Sequence, residues 1–324
     1  MLRKVSMRRT WMWGQDTRVK PSYAALGHLS LWKGILVVCV GLSLLLMPRA
    51  WRQHGLFGSA AAGTSSAPSG AVTDEAEVVL IPAGEFTMGH DKSGYDTLPV
   101  RRVNLPAFYI DKYEVTNKRY KRFIDATSYK VPWSHDPDAA TEKPYLWDWQ
   151  KRMYPEGKGD DPVVLVSWED AKAFCAWAGK RIPTEAEWEK AARGPKGKVY
   201  PWGDDWANGK SNTSESGRKQ TAPVGTFKED VIEWGNDGVY DLAGNVSEWV
   251  EDYFAPYPGN PLTRYEELNK YRVLRGGAWD YSHSIANGYH RQYALPHSQM
   301  TSFGFRCVKA ADDAGGSPLR PQTR

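Results

Sequence analysis

The chain has 324 residues, of which 25% are charged and 13% aromatic, with 15 Trp, 3 Cys and a net charge of +4. That much aromatic surface excludes a chain without an apolar core. The positive balance does not describe a nucleic-acid-binding face, because residues 1–52 hold nine Lys/Arg against the single acid Asp16 and the rest is slightly acidic.

The basic head, residues 1–28, leads into LSLWKGILVVCVGLSLLLM at 29–47. Its length suits a transmembrane helix if Lys33 snorkels to the interface. Basic residues crowd its N-terminal side, so the amino end is expected in the cytoplasm and the main domain outside it, in the periplasm if the source is bacterial. A cleaved secretory signal is the alternative, although Ala60, Ala61 and Ala62 stand far past the apolar run. Residues 48–77, which include FGSAAAGTSSAPSGAVTDEAE, read as a flexible linker, and 311–324 as a disordered tail.

Residues 78–310 between them make one domain with no internal repeat. Thr116 is placed to cap a helix with Tyr120, Phe123 and Ile124 on one face. Ser167 caps a second, WEDAKAFCAWAG, stopped by Gly179. A third opens at Thr184 with Glu187 three residues on, the spacing of a capping box, and runs to Gly194. Elsewhere short apolar runs alternate with Gly, Pro and Asn. The expected class is α+β, a single domain with low regular secondary structure and long loops.

Seven segments of this domain stand in a telling order: IPAGEFTMG (81–89), FYIDKYEVTNKRYKRFI (108–124), PVVLVSWEDAKAFCAWAGKRIPTEAEWEKAARG (162–194), YPWGDDW (200–206), GVYDLAGNVSEWVEDYF (238–254), RVLRGGAWD (272–280) and GFRC (304–307). Together they resemble the formylglycine-generating enzyme family, also called the sulfatase-modifying factor family. The resemblance implies a domain fold distantly akin to C-type lectins. It also implies a copper(I)-binding cysteine pair in the loop after the RGG motif, the chemistry that converts a substrate cysteine to formylglycine. At the matching positions this chain has Tyr281 and Ala286. Soft thiolates select Cu(I), and a phenol with a methyl group does not replace them. Formylglycine formation by the two-cysteine mechanism is therefore not expected.

Trp279, Asp280, Tyr281, His283, His290 and Arg291 are the pocket candidates. His283, His290 and His297 raise the question of another metal centre, but their spacing of seven matches no short ligand motif, and copper or iron is not expected. The resemblance implies a bond between Cys175 and Cys307; two buried free thiols are the alternative. It also implies calcium, held by Asp241, Gly244, Val246 and Glu248, where carboxylates and turn carbonyls offer hard oxygens. A Gly-Asn turn with Glu248 merely accepting a backbone N–H is the alternative. For a second calcium, Asn212 and Thr213 match the first half of the pattern, but SESGRKQTAPV supplies no Asp for the other half.

The functional expectation is a membrane-anchored extracytoplasmic accessory or maturation factor that binds a partner protein or peptide. The alternative is a divergent oxidative or protein-modifying enzyme using the same pocket with different residues.

Overall fold

The computed structural model describes residues 74–91, 94–134, 140–260 and 268–311, all within the second of two units, Ser66–Arg324. The segment expected to span a membrane, residues 29–47, and most of the tail lie outside the described residues. Among the described residues no helix is long and apolar enough to cross a membrane.

Chain order gives β1 (Val78–Ile81), β2 (Gly84–Met88), β3 (Arg101–Leu105), β4 (Phe108–Asp111), α1 (Asn117–Thr127), α2 (Trp168–Trp177) and α3 (Glu185–Arg193). It continues through β5 (Val231–Trp234), β6 (Asp237–Tyr240), β7 (Ser247–Tyr253), β8 (Arg272–Arg275), β9 (Gln292–Ala294), β10 (Phe303–Gly304) and β11 (Val308–Ala310). The helices start where their caps direct. Thr116 accepts from Arg119 N, while Ser167 with Asp170 and Thr184 with Glu187 form reciprocal capping boxes. Gly194 ends α3 with φ at 64°, a conformation that costs a glycine little.

The sheets are small and joined across long sequence distances. One has the order β1-β4-β11, another β10-β7-β8-β9, and two hairpins pair β2 with β3 and β5 with β6. Within the second sheet β10 runs parallel to β7, and the other pairs are antiparallel.

Two large apolar clusters fill most of the interior, and a smaller third gathers Tyr145, Val164, Leu165 and Val246. One gathers Tyr120, Trp168, Phe174, Trp249 and Phe305 around Cys175 and Cys307, which are joined in a disulfide with Cα atoms 5.7 Å apart. The other packs Trp188 of α3 against Phe108, Ile110, Val250 and Val273. Burying an indole is worthwhile only if its N–H finds an acceptor. Trp168 donates to Val250 O at 2.9 Å, Trp249 to Val166 O at 3.0 Å and Trp188 to Glu248 Oε2 at 2.9 Å.

A buried ionic lattice fastens α3 to β8 and to the loop beyond it. Arg275 reaches Glu185 at 2.9 Å and Glu189 at 2.7 Å, Arg291 grips Glu185 at 2.6 and 3.0 Å, and Arg193 meets Glu189 at 3.0 Å. Both glutamates also have backbone or side-chain duties: Gly89 N donates to Glu189 at 2.7 Å. Burial opposes the charge on Glu185, yet Arg291 and Arg275 overcome it and hold its carboxyl below the ordinary range.

Ahead of β1, Asp74 is buried between Arg119, which meets its Oδ1 at 2.9 Å, and Lys180 at 3.1 Å. Its carboxyl is held below the usual range because these cations outweigh the burial that opposes its charge. The packed part of the chain thus reaches at least four residues into the stretch expected as linker.

Candidate functional site

Strand β8 ends at Arg275 and passes the chain to Gly276 and Gly277, whose φ angles are +94° and +71°. At Gly277 a Cβ would lie 2.8 Å from the Cα of Ala286, so only glycine lets the loop fold back on itself there. The return is a series of tight turns, with Tyr281 N donating to Ala278 O at 3.0 Å and Ala286 N to His283 O at 3.1 Å.

The two positions expected to replace the cysteine pair are therefore set by this turn. Ala286 is fully buried and offers only a methyl group. Tyr281 is half-buried, and its carbonyl accepts from Ser214 N at 2.9 Å. Burial first, and the Asp280 charge next, push its phenol above the ordinary value, so it stays protonated at neutral pH. Neither residue supplies a soft anionic ligand, and Cys175 and Cys307 are committed to each other.

The remaining pocket candidates separate. Trp279 donates to Thr301 O at 3.0 Å and stacks on Tyr145, which makes it part of the scaffold under the loop. Asp280 is exposed. Arg291 is buried in the lattice with Glu185. A guanidinium so deep is retained by its counter-ion, a partner 106 residues away that local reading does not see. His290 is half-buried, and burial, helped by Arg275, lowers its pKa and keeps the ring neutral. His297 is exposed. His283 borders the cleft formed with the Tyr200–Trp206 loop. Among the described residues no three His, Cys, Asp or Glu side chains converge to hold a metal ion.

The cleft is about 380 Å³ and is bordered by His90, Tyr200, Asp204, Asp205, Trp206, His283 and Tyr289. Three loops build it, and two of them are held together where Gly288 N donates to Val199 O at 2.8 Å. Trp206 stacks on His283 at 4.9 Å, Tyr200 on Trp202 at 5.3 Å and His90 on Tyr289 at 4.1 Å. Glu215 fixes the histidine, with its Oε1 2.8 Å from His283 Nδ1. Partial burial opposes the carboxylate charge, but the bonds from His283 prevail and hold Glu215 at about 2. Apart from His283 these residues are absent from the sequence candidates. The one signal was YPWGDDW, which sequence reading takes as a family marker and not as a wall.

The two segments expected to hold calcium meet. Asn245 N donates to Asn212 O at 2.8 Å, and Asn212 Nδ2 donates to Asn245 Oδ1 at 3.0 Å. A Cβ on Gly244 would lie 2.4 Å from Asn212 O, so the close approach needs glycine. Thr213 is fully buried, and Asn212 Oδ1 already accepts from Ser216 at 3.1 Å. Below this contact lie four buried acids. Asp241 accepts from Gly225 N at 2.6 Å, Glu114 from Asn245 and Val246, and Asp230 from Leu242 and Ala243. Glu248 is held on both oxygens by Arg306 at 2.7 Å.

With one guanidinium among four carboxyl groups, ionising all four would bury uncompensated negative charge. Burial foremost, then the Asp241 charge, drives Glu114 and Asp230 well above the usual carboxylate range, and Asp241 itself lies at about 7. Hard oxygens short of positive charge are the donor chemistry that suits calcium. Because no three His, Cys, Asp or Glu side chains converge among the described residues, such an ion would draw on Asp241, the spare capacity of Glu248 and the carbonyls of Gly244 and Val246.

Fold and site define a disulfide-closed α+β scaffold with an aromatic cleft beside the loop that carries Tyr281 and Ala286. The model of the sulfatase-modifying factor enzyme 1-like domain matches residues 64–311, and the chain belongs to the formylglycine-generating enzyme family. It is 35% identical to the formylglycine-generating enzyme of Streptomyces coelicolor, over 80% of this chain and 97% of that one. To the inactive C-alpha-formylglycine-generating enzyme 2 of Bos taurus it is 36% identical, over 72% of this chain and 88% of the other. Among solved structures it resembles PvdO from Pseudomonas aeruginosa, with 28% identity, a TM-score of 0.56 and coverage of 71% and 93%. It is also 34% identical to the serine/threonine-protein kinase Pkn1 of Chlamydia trachomatis, but spans 38% of that protein's length.

Proposed function

We propose that this chain is an accessory or maturation factor: a non-oxidising member of its family that holds a partner protein or peptide at the face carrying the aromatic cleft. The observation that carries the reading is the pair Tyr281 and Ala286, a protonated phenol and a buried methyl where the cysteine chemistry needs thiolates. Relatives named as generating formylglycine and as inactive match this chain about equally, so overall similarity does not favour either, and the reading rests on the site residues. The work of the domain is then recognition, for which the cleft, with its stacked rings and acids, provides the surface.

The test is mass spectrometry of a cysteine-containing sulfatase peptide after incubation with the full chain, with and without copper. The peptide is expected back unchanged. A loss of 18 Da, the mass change from cysteine to formylglycine, would refute the reading and favour a divergent enzyme. Cross-linking of the native chain in its own membranes supplies the positive arm, with a specific partner expected and none recovered after Trp206→Ala.

The reading extends to placement. A single membrane pass over residues 29–47 would leave the domain outside the cytoplasm, where a disulfide such as Cys175–Cys307 persists. Calcium at Asp241, Gly244, Val246 and Glu248 completes the proposal, as a structural ion that balances the buried acids and takes no part in chemistry.

A further inference from the structure

We infer that the cleft between the Tyr200–Trp206 loop and the His283–Tyr289 loop is a binding site for an organic cation, a guanidinium or alkylammonium group. The inference goes beyond the accessory reading and holds for any activity of the domain.

Three observations converge on it. The cleft, about 380 Å³, is large enough for a side-chain head group and a few of its methylenes. Its lining is rich in rings, with Trp206 set edge-on to Tyr200 at 5.3 Å and stacked on His283, and with Tyr289, which already carries the Arg193 guanidinium over its ring at 5.7 Å. The electron-rich faces of indole and phenol attract cations more strongly than neutral groups. Finally, Asp204 and Asp205 stand at its edge, exposed, and neither forms an ion pair among the described residues. Asp204 accepts from Val199 N at 3.1 Å, which orients one oxygen and leaves the carboxylate charge unbalanced. Glu215, by contrast, is spent on His283.

A sugar would also stack on such rings. The unbalanced pair of aspartates favours the cation, because stacking of a neutral ring gains nothing from net charge, whereas a guanidinium gains from both rings and carboxylates. The group reaches the site either as an arginine or lysine side chain of a partner or as a free small molecule.

The experiment is calorimetric titration of the full chain with three probes: Nα-acetyl-arginine amide, its neutral isostere Nα-acetyl-citrulline amide, and a six-residue peptide with one internal arginine. Saturable binding of the arginine probe at one site is expected, with the citrulline probe at least tenfold weaker. The double substitution Asp204→Asn and Asp205→Asn keeps the acceptor for Val199 N and should weaken the arginine probe tenfold or more at an unchanged melting temperature. Equal binding of arginine and citrulline probes, saturable binding of a neutral monosaccharide in preference to both, or indifference to the double substitution would overturn the inference. If the peptide binds tenfold tighter than the single residue, the cation belongs to a protein partner; equal affinity assigns it to a free ligand. Both results support a cation site.

Discussion

Replacing Glu189 by alanine perturbs the buried lattice at its centre. The carboxylate meets Arg275 at 2.7 Å and Arg193 at 3.0 Å and accepts from Gly89 N at 2.7 Å. Its loss strands a guanidinium that is fully buried, since Arg275 has no exposure. Arg275 retains Glu185, and Arg193 retains carbonyl partners including Gly89 O at 2.8 Å, so the damage falls short of a wholly unpaired charge. Breaking one side of a buried pair costs about 3–5 kcal/mol. For a domain of this size that lowers the melting temperature by roughly 6–20 °C, at about 2–4 °C per kcal/mol. Urea unfolding followed by tryptophan fluorescence measures it. The double change Glu189→Leu with Arg275→Met removes both charges and should cost less than the sum of the single changes, by about 1–3 kcal/mol. A single change costing under about 1 kcal/mol, or strict additivity in the double, would refute the argument that the lattice is held by mutual neutralisation.

Changing Cys175 and Cys307 together to serine opens a loop with a sequence separation of 132 and should cost about 5 kcal/mol in the chain-entropy model, seen as a fall in melting temperature matched by reductant on the parent chain. Calcium at a thousand times its dissociation constant should add about 4 kcal/mol of stability, removable by chelator and absent after Asp241→Ala; an unchanged melting curve would exclude the ion. Asp74, Glu185 and Glu187 have folded pKa values below their unfolded ones. Their stabilisation is therefore complete above the ordinary carboxylate values and is lost as pH falls through the depressed ones. Asp74→Asn should accordingly destabilise the domain at pH 7, and the difference should shrink as pH falls through the depressed value in acid-unfolding profiles.

What sequence reading captures and what it misses follow from the range of the interactions involved. Each helix start is written within four residues, in Thr116, Ser167 and Thr184, and each is found where those caps place it. Sheet order is not local. Strand β11 pairs with β4 across some 200 residues, and no apolar pattern in VKA announces that partner. The site divides the same way. Tyr281 and Ala286 are located by counting from a motif, whereas the cleft needs His90, Trp206 and Tyr289 brought together by three separate loops. The partner of Arg291 is hidden for a related reason: its glutamate lies on α3, 106 residues away in sequence.

The Arg306 contacts carry a consequence for biosynthesis. Glu114, Asp241 and Glu248 are translated 58 or more residues before the guanidinium that Glu248 grips, and β4 lies without one of its neighbours until Val308–Ala310 exists. A nascent chain halted before Arg306 would have to bury those acids without the guanidinium that pairs with Glu248, and lacks Cys307 as well. Such a fragment has every reason to stay open. The domain is thus built to fold after its last strand emerges, as a single late event rather than piece by piece from its N-terminal end.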